Sequence, residues 1–203
     1  QQAVWAIEAG HCEVVACVYG ENALTARAPE QRGLAMQNLM GGQEWEEPFG
    51  VHGMVTPYAL VAQRYLHQYG ATVDDFGEVS VLTRRHALNN ENAQMKKPMT
   101  LEDHRASKMI SSPLRLLDCS LVSDGGGAVI LTTRSRAQRM GQPFVSIKSM
   151  AMRATHSSIA QLPDLEDFGM REAGRDAFEA AGEGPEAMQV ALLHDAFSVS
   201  VLI

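Results

Sequence analysis

The chain has 203 residues, a formal charge of −7 and a hydrophobic fraction of 45%, the composition of a folded globular protein rather than a disordered one. An acidic balance argues against a general nucleic-acid binder, whose footprint is basic, and no apolar run approaches the ~18 residues of a membrane span. Three cysteines are too few for a disulfide framework and suit a reducing cytosol or organelle matrix.

Residues 1–10 read as the end of a helix: Val4 and Ile7 share a face, Gly10 suits the C′ position, and no N-cap signal precedes them. This start has no charged region ahead of an apolar stretch, so it is not a signal peptide. The other end, Leu192 to Ile203, stops on apolar residues with no polar tail. Both ends read as cut, and the chain as the inside of a longer one. Residues 14–18 predict a buried strand, and residues 20–55, rich in Gly, Glu and Gln, a long excursion. Thr56-Pro57 suggests an N-cap with Pro at N1 of a helix that Gly70 stops.

Thr72, with Asp74 and Asp75, opens a second helix toward Ala87, with Arg84, Arg85 and His86 in the last turn, where the helix dipole favours cations. Residues 89–98 are a loop, and Thr100 starts a short helix. Residues 123–127 predict a glycine turn into a strand at 128–131. A helix at 135–140, a strand at 144–150, a helix at 172–181 stopped by Gly182 and a buried strand at 188–193 follow. The alternation indicates an α/β fold with a layered sheet. A composition shift places a boundary near Met140 to Pro143.

Several groups of residues could carry chemistry. Asp124-Gly-Gly-Gly127 precedes a strand rather than opening a helix and lacks the Gly-Lys-Ser/Thr of a P-loop. It reads as a tight turn with positive-φ glycines and close backbone packing. Cys12, Cys17 and Cys119 have no zinc spacing and read first as small buried hydrophobes, Cys119 with the option of lining a pocket. No metal site is expected. The stretch from Arg84 to Lys108 is locally basic in an acidic chain. It is either a solvated face or an attractor of an anionic, phosphate-bearing ligand. His194-Asp195 closes a core strand at the edge where α/β folds bind ligands. His194 could donate to a developing oxyanion or move a proton. Alternatively it is a satisfied core histidine, with Asp195 capping the next helix.

Four segments together resemble the thiolase superfamily, specifically its sterol-carrier-protein type and the related lipid-transfer-protein-like thiolases. They are Ala6-Ile7-Glu8-Ala9-Gly10 with Tyr19-Gly20-Glu21-Asn22; Pro48-Phe49-Gly50 through Tyr58-Ala59-Leu60 to Arg84; Pro113-Leu114-Arg115-Leu116-Leu117-Asp118-Cys119-Ser120 through Asp124-Gly125; and His194-Asp195-Ala196-Phe197.

The resemblance implies a layered αβαβα fold with an inserted loop domain, incomplete at both ends. Residues 1–142 would be the remainder of the first half, with the loop domain at about 20–122, and residues 143–203 the start of the second. It implies a thiolase-like acyltransferase working on coenzyme A thioesters by Claisen condensation or thiolysis, with covalent acyl transfer in two steps. The alternatives are a retro-aldolase of sterol side-chain CoA thioesters and a non-catalytic lipid-binding subunit.

His194 would serve an oxyanion hole, and Asp195 would orient it or cap the following helix. Ser120 would lie near the pantetheine arm. His52 and Met54 resemble a His-Met pair lining the acyl pocket, with Gly53 inserted between them. Arg84 and Arg85 would stand in the loop domain that holds the CoA nucleotide. The family's nucleophilic Cys would lie upstream of Gln1 and its Gly-His and Cys-x-Gly motifs downstream of Ile203. No tightly bound cofactor, a homodimer, a possible small accessory subunit, and a cytoplasmic or peroxisomal location are the remaining implications.

Overall fold

The computed structural model describes residues 1–25, 43–51, 53–156 and 158–203. The chain divides into two compact units. No helix among the described residues is long and apolar enough to cross a membrane.

The first unit gathers residues from Gln1–Arg32, Val122–Ala154 and Gly169–Val190. Helix α1 (Gln2–Glu8) ends as expected: Gly10 has φ 74°, its N–H bonds to Ile7 O, and the N–H of His11 reaches back to Ala6 O, the Schellman pattern. Strand β1 (Val14–Asn22) pairs antiparallel with β4 (Asp124–Thr132), from Val14↔Thr132 to Asn22↔Asp124. The expected glycine turn is therefore a strand. Gly125, Gly126 and Gly127 lie inside β4, and none has positive φ. Close approach remains the reason for at least one of them: a Cβ on Gly126 would lie 2.7 Å from the Tyr19 carbonyl oxygen across the ladder. β1 is longer than the expected strand and is not buried. Val18 is 75% exposed and Cys17 is exposed, because strand pairing satisfies the backbone but only a covering layer removes side chains from water.

Helix α6 (Arg134–Met140) begins at Thr133, whose hydroxyl accepts from Arg136 N–H, and ends at Gly141 in the left-handed region. Helix α7 (Met170–Ala181) likewise stops at Gly182, φ 68°. The segment at 144–150, expected as a strand, makes no ladder with any described residue. It runs along α7, held by a Lys148–Glu183 ion pair, by Ser149 Oγ donating to Ala177 O at 2.7 Å, and by the neighbouring Arg153–Asp176 pair. These are side-chain ties, which do not supply the paired backbone groups of a strand. Residues 188–193, expected as a buried strand, also form no ladder among the described residues, and Leu192 is 95% exposed.

The second unit gathers Gly33–Leu121, Thr155–Phe168 and Ala191–Ile203. Its elements in chain order are the short α2 (Gln43–Glu46), α3 (Val55–Tyr69), α4 (Val73–Ala87), α5 (Leu101–Ala106), β2 (Met109–Ser111), β3 (Leu114–Arg115) and α8 (Val199–Leu202). Helix α3 starts earlier than Thr56-Pro57 suggested, so Pro57 falls in its third position. A proline is harmless there because the first N–H groups of a helix have no intrahelical partner. Helix α4 carries the expected start, with Asp75 Oδ2 accepting from Thr72 N–H at 2.7 Å. Helix α5 repeats it with Asp103 and Thr100 at 2.8 Å. A bidentate Arg105–Asp74 pair, at 2.9 and 2.7 Å, joins the two. Arg105 holds the Asp74 carboxyl below its ordinary value of 3.8. The clasp's stabilisation is full above that ordinary value and is lost only as pH falls through the lowered one.

The core of this unit is Ala59, Val61, Ala62, Phe76, Leu114, Phe197 and Val199. Phe197 thus sinks the segment after His194-Asp195 into the core, its ring 4.5 Å from that of Tyr58. Glu46 is buried and accepts from Ser158 Oγ at 2.5 Å and Ala160 N at 2.8 Å, which ties α2 to the 159–161 turn.

Candidate functional site

The site is built where the third and fourth of the segments quoted above meet. After the β2–β3 hairpin the chain makes a 3-10 turn, Leu116–Asp118. Residues 118–120 then lie antiparallel to 196–198. Ser120 N–H donates to Ala196 O at 2.9 Å, Ser198 N–H donates to Asp118 O at 2.9 Å, and Cys119 bridges Phe197. Ser120 and His194-Asp195, far apart in the chain, are thereby brought to one place. Ser120, His194 and Asp195 are all exposed.

Beneath this bridge is a buried polar network. Asp118 is 3% exposed, His104 0% and Ser198 4%. Asp118 Oδ1 accepts from Ser198 Oγ at 2.7 Å and from His104 Nε2 at 2.8 Å, and its Oδ2 accepts from Arg115 N–H at 2.8 Å. Three donors on one carboxylate assign the Nε2–H tautomer to His104. Its Nδ1 is then a buried acceptor with no partner. The trio is not a nucleophile–base–acid relay: serine and histidine meet the same aspartate oxygen from two sides and not each other. Buried polar groups of this kind cost stability unless satisfied, and here they clamp the 115–120 loop, α5 and the 196–198 segment together. Sequence reasoning missed all three residues. Asp118 stood inside a quoted segment, but its partners lie 14 and 80 residues away, with no local pattern to reveal them.

The other expected site residues are more dispersed. Met54 packs against the core. His52 lies outside the described residues. Arg84 is used structurally, donating from Nη1 to Lys97 O at 2.9 Å, and Lys96 donates to Asn90 O at 2.7 Å. Arg105 is occupied by Asp74 and Glu102. Arg85, Lys97 and Lys108 are exposed and form no ion pair among the described residues.

No group of three or more metal-ligating side chains occurs among the described residues. Cys119 is half-buried, donates to Arg115 O at 3.4 Å, and has its thiol pushed up to about 11 by burial and by Asp118. It is a poor nucleophile at neutral pH. In the folded full-length protein Cys119 therefore stays unmodified by iodoacetamide at pH 8 and labels only after denaturation, an outcome read by peptide mass mapping.

Comparison with known proteins shows which chains this one is similar to. Residues 151–203 match the "Thiolase C-terminal domain-like" family. The chain is 33% identical to a steroid side-chain-cleaving aldolase of Thermomonospora curvata over all of the chain and 54% of that protein. It is 39% identical to a 17-hydroxy-3-oxo-4-pregnene-20-carboxyl-CoA lyase of Mycobacterium tuberculosis over 75% of the chain and 42% of that protein. An acetyl-CoA acetyltransferase of Methanothermobacter thermautotrophicus is 34% identical over 79% of the chain and 42% of its own length. A solved Ltp2-ChsH2(DUF35) aldolase superposes with a TM-score of 0.84 at 32% identity, covering 100% of this chain and 53% of that one. The chain spans about half the length of the relatives it matches.

The class is that of α/β proteins with the thiolase fold. The chain belongs to the thiolase superfamily, among its sterol-carrier-protein-like members.

Proposed function

We propose that the full-length protein is an enzyme that cleaves a carbon–carbon bond in a CoA thioester by a retro-aldol reaction. The observation that carries this reading is the alignment of all of this chain with 54% of the steroid side-chain-cleaving aldolase, matched by a structural likeness that also covers all of this chain. The name of the lyase relative describes a β-hydroxy acid derivative, with the hydroxyl on the carbon next to the one bearing the carboxyl-CoA group.

In such a substrate a base removes the hydroxyl proton, the Cα–Cβ bond breaks, and its electron pair passes to the thioester carbonyl as an enolate. Protonation at Cα then releases a shorter acyl-CoA and a carbonyl compound. The charge that develops is on the thioester oxygen, and His194, exposed two residues before the bridged segment, donates to it. Ser120 contacts the pantetheine arm, Met54 lines the acyl side, and Arg85 of the basic stretch contacts the nucleotide phosphates, with Arg84 holding the loop beside it.

Residues 1–142 and 143–203 would be the parts of the two thiolase halves, and a homodimer with a small accessory subunit is the assembly that fits this reading. A second reading, acyl transfer to or from free CoA, has support from the acetyltransferase relative. It would use the same oxyanion donor.

The experiment is product analysis with the full-length protein. Retro-aldol cleavage of a 3-hydroxyacyl-CoA with a tertiary hydroxyl gives a ketone and consumes no free CoA, whereas thiolysis of a 3-ketoacyl-CoA consumes one CoA per turnover. Turnover of the second substrate alone would sink the first reading. His194→Ala lowers kcat by about 10²–10³ with little change in KM, the usual effect of losing one oxyanion donor.

A further inference from the structure

We propose that Asp118 and Ser198 act as positioning residues for His194, the buried Asp118 carboxylate setting where the exposed imidazole is presented. The inference rests on the reading of His194 as the oxyanion donor. His194 and Asp195 are exposed, and among the described residues neither side chain has a hydrogen-bond partner, so their own contacts do not fix them. What fixes them is the anchor just after. Ala196 O is held by Ser120 N–H, Phe197 is sunk against Tyr58, and Ser198 is held twice by Asp118, through its N–H at 2.9 Å and its Oγ at 2.7 Å. Val199, the next residue, is fully buried.

Asp118 in turn is immobilised from two other elements, by His104 of α5 at 2.8 Å and by Arg115 N–H at 2.8 Å. The chain from Ser198 back to His194 is four residues, so a shift of the anchor is delivered almost undiminished to the imidazole. The same carboxylate also borders the 119–120 segment, so Ser120 and His194 are referenced to one buried group. A displacement of about 1 Å in a catalytic group costs up to about 100-fold in rate, and that is the sensitivity the network guards against.

The test uses the full-length protein with a CoA thioester it turns over, comparing Ser198→Ala, Ser198→Thr and Asp118→Asn in the wild-type and His194→Ala backgrounds. Ser198→Ala is expected to lower kcat by about 10-fold, and Asp118→Asn by about 10- to 100-fold, with KM changed less than about 3-fold. Ser198→Thr, which keeps the hydroxyl, restores most of the rate. In the His194→Ala background the same changes have little further effect, since they act through the missing imidazole. Folding is checked by thermal melts, and Ser198→Ala stands in should Asp118→Asn fail to fold.

Unchanged kcat in Ser198→Ala, or an equal loss in both backgrounds, overturns the positioning role while leaving His194 in place. Full activity in His194→Ala overturns the reading of His194 itself, and with it this inference.

Discussion

Replacing Asp118 by Ala lowers the stability of the protein by about 3–5 kcal/mol, the cost of removing one partner from a buried, charge-assisted cluster. The magnitude follows from what is left behind. His104 Nε2, Ser198 Oγ and Arg115 N–H all donate to this carboxylate, and His104 and Ser198 are buried where water does not replace it. Each orphaned donor carries a desolvation penalty of about 1–3 kcal/mol, and local relaxation recovers part of the sum. Asp118→Asn loses less, since its carbonyl still accepts while its amide opposes one of the three donors. Urea denaturation of the two variants against the parent should rank Ala well below Asn. Equal midpoints for all three would mean that the cluster is wetter or looser than its burial indicates.

The local punctuation of the fold was legible because it depends on a few adjacent residues. Thr72 with Asp75 and Thr100 with Asp103 announce α4 and α5 through short side-chain bonds to the backbone. Gly10, Gly70 and Gly182, read as helix ends, all take the left-handed conformation that terminates helices. What could not be read locally was burial. The apolar runs at 14–18 and 188–193 predict buried strands, yet Val18 and Leu192 lie largely exposed. An apolar run states a preference for a covering layer without naming the residues that supply it.

The glycine triplet misled for a related reason. Three consecutive glycines suit a turn, but the partner strand approaches so closely at Tyr19 that Gly126 is needed inside β4.

At the candidate site, the resemblance named Ser120 and His194, and the structure brings their two segments together. The bridge of 118–120 with 196–198 is a tertiary pairing that no spacing foretells. Asp118 and Ser198 look like ordinary polar loop residues in sequence, and His104 like one more member of a basic stretch. Only their convergence on one carboxylate distinguishes them.

Gly77→Ala is expected to destabilise the protein by about 1–3 kcal/mol, although helix propensity alone predicts the opposite sign. Gly77 lies inside α4, where exchanging Gly for Ala is ordinarily worth about 1 kcal/mol of added stability. Here a Cβ would sit 2.4 Å from Leu101 Cδ1 and 2.8 Å from His104 Nδ1. The leucine methyl can swing aside at small cost. The imidazole cannot, because it is fully buried and its other nitrogen is held by Asp118 at 2.8 Å. Relief must come from lifting α5 off α4 or from breaking the His104–Asp118 bond, and overpacking of this kind costs about 1–3 kcal/mol, enough to outweigh the propensity gain.

Gly174 supplies the control. It also lies within a helix, α7, but a Cβ there meets nothing within 4 Å, so Gly174→Ala should raise the melting temperature where Gly77→Ala lowers it. A rise in both variants would show that α4 and α5 can separate without loss, and would remove the tight packing that holds His104 against Asp118.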